Sequence, residues 1–167
     1  MTSLRISHDF ECSEETFWSR IFFDLEFNRR MYLEWLGFEV WEELAHSEDD
    51  ASVHRTIRVV PKVTELPGPI RAVLGERLEY RELGTWDRRT RRYRYEVKSA
   101  TLGDKLKVEG ELWCEPLGAE RCRRHFVVNV EVKVFGIGGL IEKRLVADLQ
   151  QNYEASSRHT QEFLAKS

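Results

Sequence analysis

Apolar residues recur at every second position through most of the middle of the chain. Between Phe38 and Phe135, the segments FEVWEEL, SVHRTIRVVPKV, ERLEYREL, RYRYEVK, KLKVEGELWCE and RCRRHFVVNVEVKVF alternate or carry β-branched and aromatic residues. That is the pattern of strands with one buried face. Short links such as AHSEDDA, ATLGD and PLGA separate several of them, so the six segments predict an antiparallel meander. A weaker alternation over residues 3–11 suits a strand before it.

Elsewhere the period lengthens to that of a helix. In CSEETF, Ser13 can cap a helix with Glu15 and Thr16 in its first turn. FWSRIFFDLEFNRRMYLEWLG then places Phe17, Trp18, Phe22, Phe23, Phe27, Tyr32 and Trp35 at near-helical spacing, predicting a helix broken near Asp24 and ending at Gly37. A helical pair covering a sheet accounts for this aromatic crowd. Residues 137–165 contain no Pro and no Gly beyond Gly139, and carry the stripe Ile137, Ile141, Leu145, Leu149, Tyr153, Ser156, Thr160, Phe163 and Leu164. They predict one amphipathic helix of about seven turns, ~40 Å long. Its inward face turns small and polar at Ser156 and Thr160, where a core-filling helix would carry Leu or Ile. Small residues facing a curved sheet leave a cavity, unless aromatics from the first helices fill it.

Two further expectations concern local geometry. With PLGA as the turn of the last hairpin, Cys114 faces Cys122, Leu112 faces Arg124, Gly110 faces Phe126 and Val108 faces Val128. In ELPGPIRAVLG, Pro67, Gly68 and Pro69 precede Ile70, Val73 and Leu74 on one face. That segment reads as a one-turn helix or flap at the sheet edge: a gate over a cavity, a membrane-touching tip, or a connector whose apolar face caps the core.

The 167 residues, 41% hydrophobic and 33% charged, fit a single globular domain. A net charge of -3 argues against general affinity for nucleic acid. The start, MTSLRISHDFECSEETF, lacks a basic region followed by an apolar one, and no stretch approaches the ~18 apolar residues of a membrane span. Cys12, Cys114 and Cys122 form no C-x-x-C pair, so reduced thiols in a cytoplasm are expected, with a Cys114–Cys122 redox device as the lesser alternative.

VEVKVFGIGGLIEKRLV is a strand, a glycine turn and a helix, the arrangement of phosphate sites. Gly136 and Gly138 match the first two glycines of a dinucleotide fingerprint, but Ile141 stands at the third and no second strand follows. No Gly-Lys-Ser/Thr is present, and Glu142 in the first turn would repel phosphate. Gly136, Gly138 and Gly139 therefore read as backbone freedom for a sharp turn packed on the sheet. His8, His46, His54, His125 and His159 show no metal spacing, no nucleophile elbow occurs, and nothing calls for a cofactor. DRRTRRYRYEVK packs Arg88, Arg89, Arg91, Arg92 and Arg94 around Tyr93 and Tyr95. Cross-strand pairs with nearby glutamates explain it best, ahead of anionic headgroups at a membrane surface and of nucleic acid. Strand parity sets Arg55 with Val53, Ile57 and Val59, and Arg124 with Phe126, Val128 and Val130. Each buried guanidinium then needs a partner, either Glu42 or Glu82 or the carboxylate or phosphate of a ligand.

SEETFWSRIF after the first strand, LPGPIRAVLG after the third, and the final VEVKVFGIGGLIEKRLVADLQQNYEASSRHTQEFL resemble the helix-grip fold of the START-like (SRPBCC) superfamily, along nearly the whole chain. The last segment is similar to the strand-to-helix junction of a poorly characterised bacterial branch and of sterol-transporter lipid-binding domains. The resemblance implies an α+β fold in which a strongly curved antiparallel sheet of about seven strands, in the order β-α-α-β6-α, wraps a long C-terminal helix. It also implies a hydrophobic, lipid-like ligand in the cavity between them. Candidate lining residues are Phe27, Tyr32, Arg55, Ile57, Tyr80, Tyr93, Tyr95, Leu112, Arg124, Phe126, Leu149, Tyr153 and Ser156, with Ile70, Val73 and Leu74 as the gate. A dry cavity below about 300 Å³ would count against such a carrier. Two alternatives stand beside it: a polyketide cyclase or dehydratase, needing an ionisable group inside, with Tyr153 and Arg124 as the foreseen insiders, and a protein-interaction module with a filled cavity. Transient contact with a membrane surface is the one further partner expected; the sequence assigns no oligomeric state.

Overall fold

A computed structural model describes every residue except 63 and 64. The strands are β1 Thr2–Phe10, β2 Val40–Glu48, β3 Ser52–Val60, β4 Tyr80–Asp87, β5 Arg92–Ser99, β6 Leu106–Gly118 and β7 Arg121–Val132. They form one antiparallel sheet in the order β1-β7-β6-β5-β4-β3-β2. The meander is thus as the alternation predicts, with β1 added beside β7. Helix α1 begins as Glu14–Thr16 and continues as a π-helix over Phe17–Phe22; α2, Leu25–Arg29, does the same over Arg30–Trp35. Helix α3 is Gly68–Leu74 and helix α4 is Gly138–Ala165. At 28 residues α4 is ~42 Å long, and it packs on β1 and β7.

The strand boundaries differ in detail from the alternation. β2 takes in Ala45–Glu48, which read as loop, through a bulge between Glu43 and Ala45. The Asp49 carboxylate then closes the turn by accepting from the Ala51 and Ser52 amides. β4 starts at Tyr80 rather than Glu76, and β7 stops at Val132. The third predicted strand ended at residue 63, which lies outside the described residues.

The β6–β7 register is a correction. Cys114 faces Arg124, Leu112 faces Phe126, Gly110 faces Val128 and Val108 faces Val130, two residues from the expected pairing. The strands run on to Gly118 and Arg121, and an irregularity between Pro116 and Gly118 absorbs the difference. An even shift leaves every side chain on its predicted face, so Cys122, Arg124, Phe126, Val128, Val130 and Val132 all point inward.

Between α1 and α2 the break falls as expected, because Asp24 caps α2 by accepting from the Phe27 amide at 2.7 Å. The buried Asn28 amide donates to the Ile21, Phe22 and Asp24 carbonyls, satisfying groups the break would orphan. The glycine turn is structural. Gly136 has φ 83°, and a side chain at Gly138 would meet the Val132 carbonyl oxygen at 2.2 Å. Gly139 needs neither freedom, contrary to expectation: its φ is not left-handed and a side chain there would have open space.

Glu142 fixes this junction. Its buried carboxylate accepts from the Val132 amide (2.9 Å) and the Thr2 hydroxyl (2.8 Å). These bonds, the Val132 amide foremost, hold its carboxyl below the ordinary glutamate range. A depressed carboxyl stabilises the fold above its unfolded pKa of about 4.3 and loses that contribution as pH falls through the folded value. Glu142→Gln is therefore expected to lower the urea midpoint clearly at pH 7 and much less at pH 3. An equal loss at both pH values would show that the charge is not what anchors the turn.

Cys12, Cys114 and Cys122 are free and buried. The Cys114 thiol and burial push Cys122 up to about 12, and Cys122 with burial raises Cys12 as well. Thiols held protonated at neutral pH are poor nucleophiles, which weighs against a redox device.

Candidate functional site

Between the concave face of the sheet, α2, α3 and α4 lies a cavity of about 200 Å³. Strand alternation builds one wall from β4, β5 and β6: Tyr80, Glu82, Tyr95, Val97, Val108 and Leu112. Phe27, Met31 and Tyr32 come from α2 and its π-turn, and Leu145, Leu149, Tyr153, Ser156 and Thr160 come from α4. Exposed Lys62 and Glu76 and the Arg144–Asp148 ion pair (3.1 Å) also line it, marking an opening between Lys62, Glu76 and α4. Ser156 and Thr160 spend their hydroxyls on the Tyr153 and Ser156 carbonyls of their own helix (2.9 and 2.8 Å), so they contribute space rather than donors.

Two arginines enter this interior. Arg55 is 7% exposed; its Nε donates to the Tyr93 hydroxyl (3.1 Å), and its Nη2 lies 3.7 Å from Glu82 Oε2. The Tyr93 hydroxyl donates in turn to Glu82 Oε2 at 2.7 Å. Phe22 lies under the guanidinium, 4.3 Å from its centre. Burial opposes the Arg55 charge, but Tyr93 and Glu82 outweigh it, so its pKa is raised. Of the two partners weighed from sequence, Glu82 is therefore the one used; Glu42 instead pairs with Arg58 at 3.7 Å.

Arg124 is held differently. Its Nη2 donates to His8 Nδ1 (3.0 Å) and to the Tyr153 carbonyl (3.3 Å), and its guanidinium sits 5.1 Å from the Phe10 ring and 5.0 Å from that of Tyr153. Burial lowers its pKa. Burial, then the Arg124 charge, also lowers that of His8, which accepts as a neutral imidazole. Burial raises Tyr32, Tyr80, Tyr95 and Tyr153 above the ordinary phenol range, so these hydroxyls stay protonated as hydrogen-bond donors.

Of the residues singled out from sequence, Phe27, Tyr32, Arg55, Tyr80, Tyr95, Leu112, Arg124, Leu149, Tyr153 and Ser156 line the cavity. Tyr93 and Phe126 stand behind the wall, Tyr93 bonded to Arg55 and Glu82 and Phe126 stacked 3.9 Å from Tyr153. Ile57 packs instead in a separate cluster with Phe38, Trp41 and Val59. In α3, Ile70 and Leu74 are buried and Val73 is half-buried, and Leu74 forms part of the wall. Sequence reading did not place Met31, Asn152 or the charged edge in the site; Met31, Asn152, Arg144 and Asp148 lie on helices, and a helix's own pattern does not show which of its turns meets a cavity built by distant elements.

The arginine run divides across the sheet. Tyr93 points inward, while Arg92 and Arg94 point outward and pair with Glu111; Arg88 pairs with Glu48 and Arg91 with Glu14. The inward Tyr93 thus lies on the opposite face from Arg92 and Arg94, and on the outer face Arg92 covers the Trp113 ring at 4.2 Å instead.

A curved seven-stranded antiparallel sheet gripping a long C-terminal helix over a cavity is the helix-grip fold that the resemblance implied. Similar solved structures include the Zhui aromatase/cyclase from Streptomyces sp. R1128, at 14% identity over 95% of this chain and 90% of that one, TM-score 0.67. A START superfamily protein from Mycobacterium smegmatis matches at 16% over 97% and 98%, TM-score 0.61. Norcoclaurine synthase from Thalictrum flavum in complex with dopamine and hydroxybenzaldehyde matches at 15% over 96% and 87%, TM-score 0.63. The chain belongs to the family DUF2505, described as a protein of unknown function, which matches residues 5–164. No curated protein matches it.

Proposed function

We propose that the protein binds a compact, largely apolar small molecule in the cavity between the sheet and α4. The carrying observation is the cavity itself, with aliphatic and aromatic walls and a few tyrosine hydroxyls held as donors. At about 200 Å³ it falls below the ~300 Å³ at which pockets for drug-sized ligands begin. That size counts heavily against the lipid-carrier expectation, and fits instead a ligand of one or two rings. The single-ring compounds named in the norcoclaurine synthase complex are of this size class. No helix among the described residues is long and apolar enough to cross a membrane.

Turnover of the bound molecule takes second place. Glu82 brings a carboxylate inside, beyond the insiders foreseen from sequence, but its Oε2 already accepts from Tyr93 beside Arg55, and the surrounding phenols hold their protons. A general base would have to break that arrangement first.

Calorimetric titration with 2-naphthamide tests the binding reading. Saturable binding is expected, and Ser156→Phe, which places a ring in the cavity, should weaken it roughly tenfold or more without loss of folding. No binding, or binding indifferent to the added ring, would overturn the site. As the segment we assign to ligand passage, α3 should exchange its amides faster than β3–β7 and slow when the probe is bound. Equal protection with and without probe would leave α3 as a fixed cap.

A further inference from the structure

The charges inside the cavity do not cancel. Arg55 is balanced by Glu82. Arg124 is 6% exposed and lines the same cavity, yet no carboxylate lies within ion-pair distance of it among the described residues. What faces it is uncharged. From β1 come Phe10 and the neutral His8; from β6 and β7, the buried Cys114 and Cys122; from α2 and α4, the phenols of Tyr32 and Tyr153. Only Nη2 of the guanidinium is used, on His8 and the Tyr153 carbonyl. Its Nε is buried with no partner, and Nη1 makes no hydrogen bond among the described residues. Two flanking rings soften this charge but do not neutralise it. A buried guanidinium lacking both a counter-ion and most of its hydrogen bonds is costly, and a ligand carboxylate would supply both at once.

We propose that the compact ligand is an acid whose carboxylate pairs with Arg124, its apolar body lying along Leu112, Leu149 and Tyr153. This rests on the binding reading above and adds the ligand's charge to it. Within the cavity the anion sits at the β7–α4 side, away from Glu82 on β4, which would repel it. The Arg55–Glu82 pair is internally neutral and takes no part.

The test compares 2-naphthoate with its neutral isostere 2-naphthamide by calorimetry at pH 7. The wild-type protein should prefer the acid by roughly tenfold or more, as expected for a charge-assisted bond to a buried guanidinium. Arg124→Gln should bring the affinities for the two probes within about twofold of each other, and Arg124→Lys should restore part of the preference. Because loss of Arg124 could itself impair folding, side-chain Nε–H spectra of arginine-labelled wild-type protein give an independent readout. One buried arginine resonance should move with naphthoate and stay with naphthamide. Equal affinity for the two probes in the wild type, or no arginine shift with naphthoate, overturns the role of Arg124 and leaves the binding reading intact. Failure of both probes to bind overturns both.

Discussion

Gly84→Ala is expected to destabilise the protein by ~3 kcal/mol or more, a large part of the 5–15 kcal/mol typical of a domain. Within a strand the change should otherwise help, since Ala is favoured over Gly by about 0.5–1 kcal/mol. Here the added methyl would stand 1.8 Å from the Tyr93 hydroxyl oxygen and 2.1 Å from Cζ. Tyr93 has no room to yield: it is 2% exposed, bonded to Arg55 and Glu82, and packed edge-on to Phe22 with ring centroids 4.7 Å apart. Moving the ring would strip Arg55 of its best-placed partner inside the protein. Urea unfolding of Gly84→Ala, Tyr93→Ala and the double variant decides the matter. The double variant should be about as stable as Tyr93→Ala alone, because the clash disappears with the ring. Strictly additive losses would mean that the tyrosine is not what the glycine accommodates.

That glycine also shows where sequence reading reached its limit. Alternation in RYRYEVK was enough to turn Tyr93 and Tyr95 inward, and parity was enough to offer Glu82 to Arg55, because both depend only on a period of two. The different roles of the two tyrosines depend on glycines of neighbouring strands. The Tyr93 ring lies over Gly84, which faces Tyr95 in the ladder, and the Tyr95 ring lies over Gly110. The β6–β7 register slipped by two because the irregularity near Gly118 leaves no trace in the apolar pattern, yet the faces survived because two is the strand period. Arg124 resisted for a related reason. Parity could bury it, but only the strand order shows that its neighbours are β1 and β6, three strands from Glu82. The small residues Ser156 and Thr160 did signal a cavity; its volume is set by rings from three other elements, and no local pattern encodes that.

Phe126→Ala is expected to have two effects that pull apart. The ring is 0% exposed, stacked 3.9 Å from Tyr153 and 6.4 Å from Tyr95. Removing a fully buried phenyl group costs ~3–5 kcal/mol through lost transfer energy and an uncollapsed void. This void would not be isolated, because Tyr153 and Tyr95 separate Phe126 from the cavity and both line it. With its backing gone, either tyrosine can fall back into the gap, so the variant should gain room for a longer ligand as it loses stability. Anthracene-2-carboxamide, one ring larger than the probe that suits the wild type, should bind the variant more tightly than the wild type. Ligand in excess should also raise the variant's urea midpoint, since a molecule that binds only the folded state adds RT ln(1 + [L]/Kd) to its stability. A destabilised variant that shows no gain for the larger probe would mean that Tyr153 is held by α4 alone, and that the β7 face behind it does not set the size of the site.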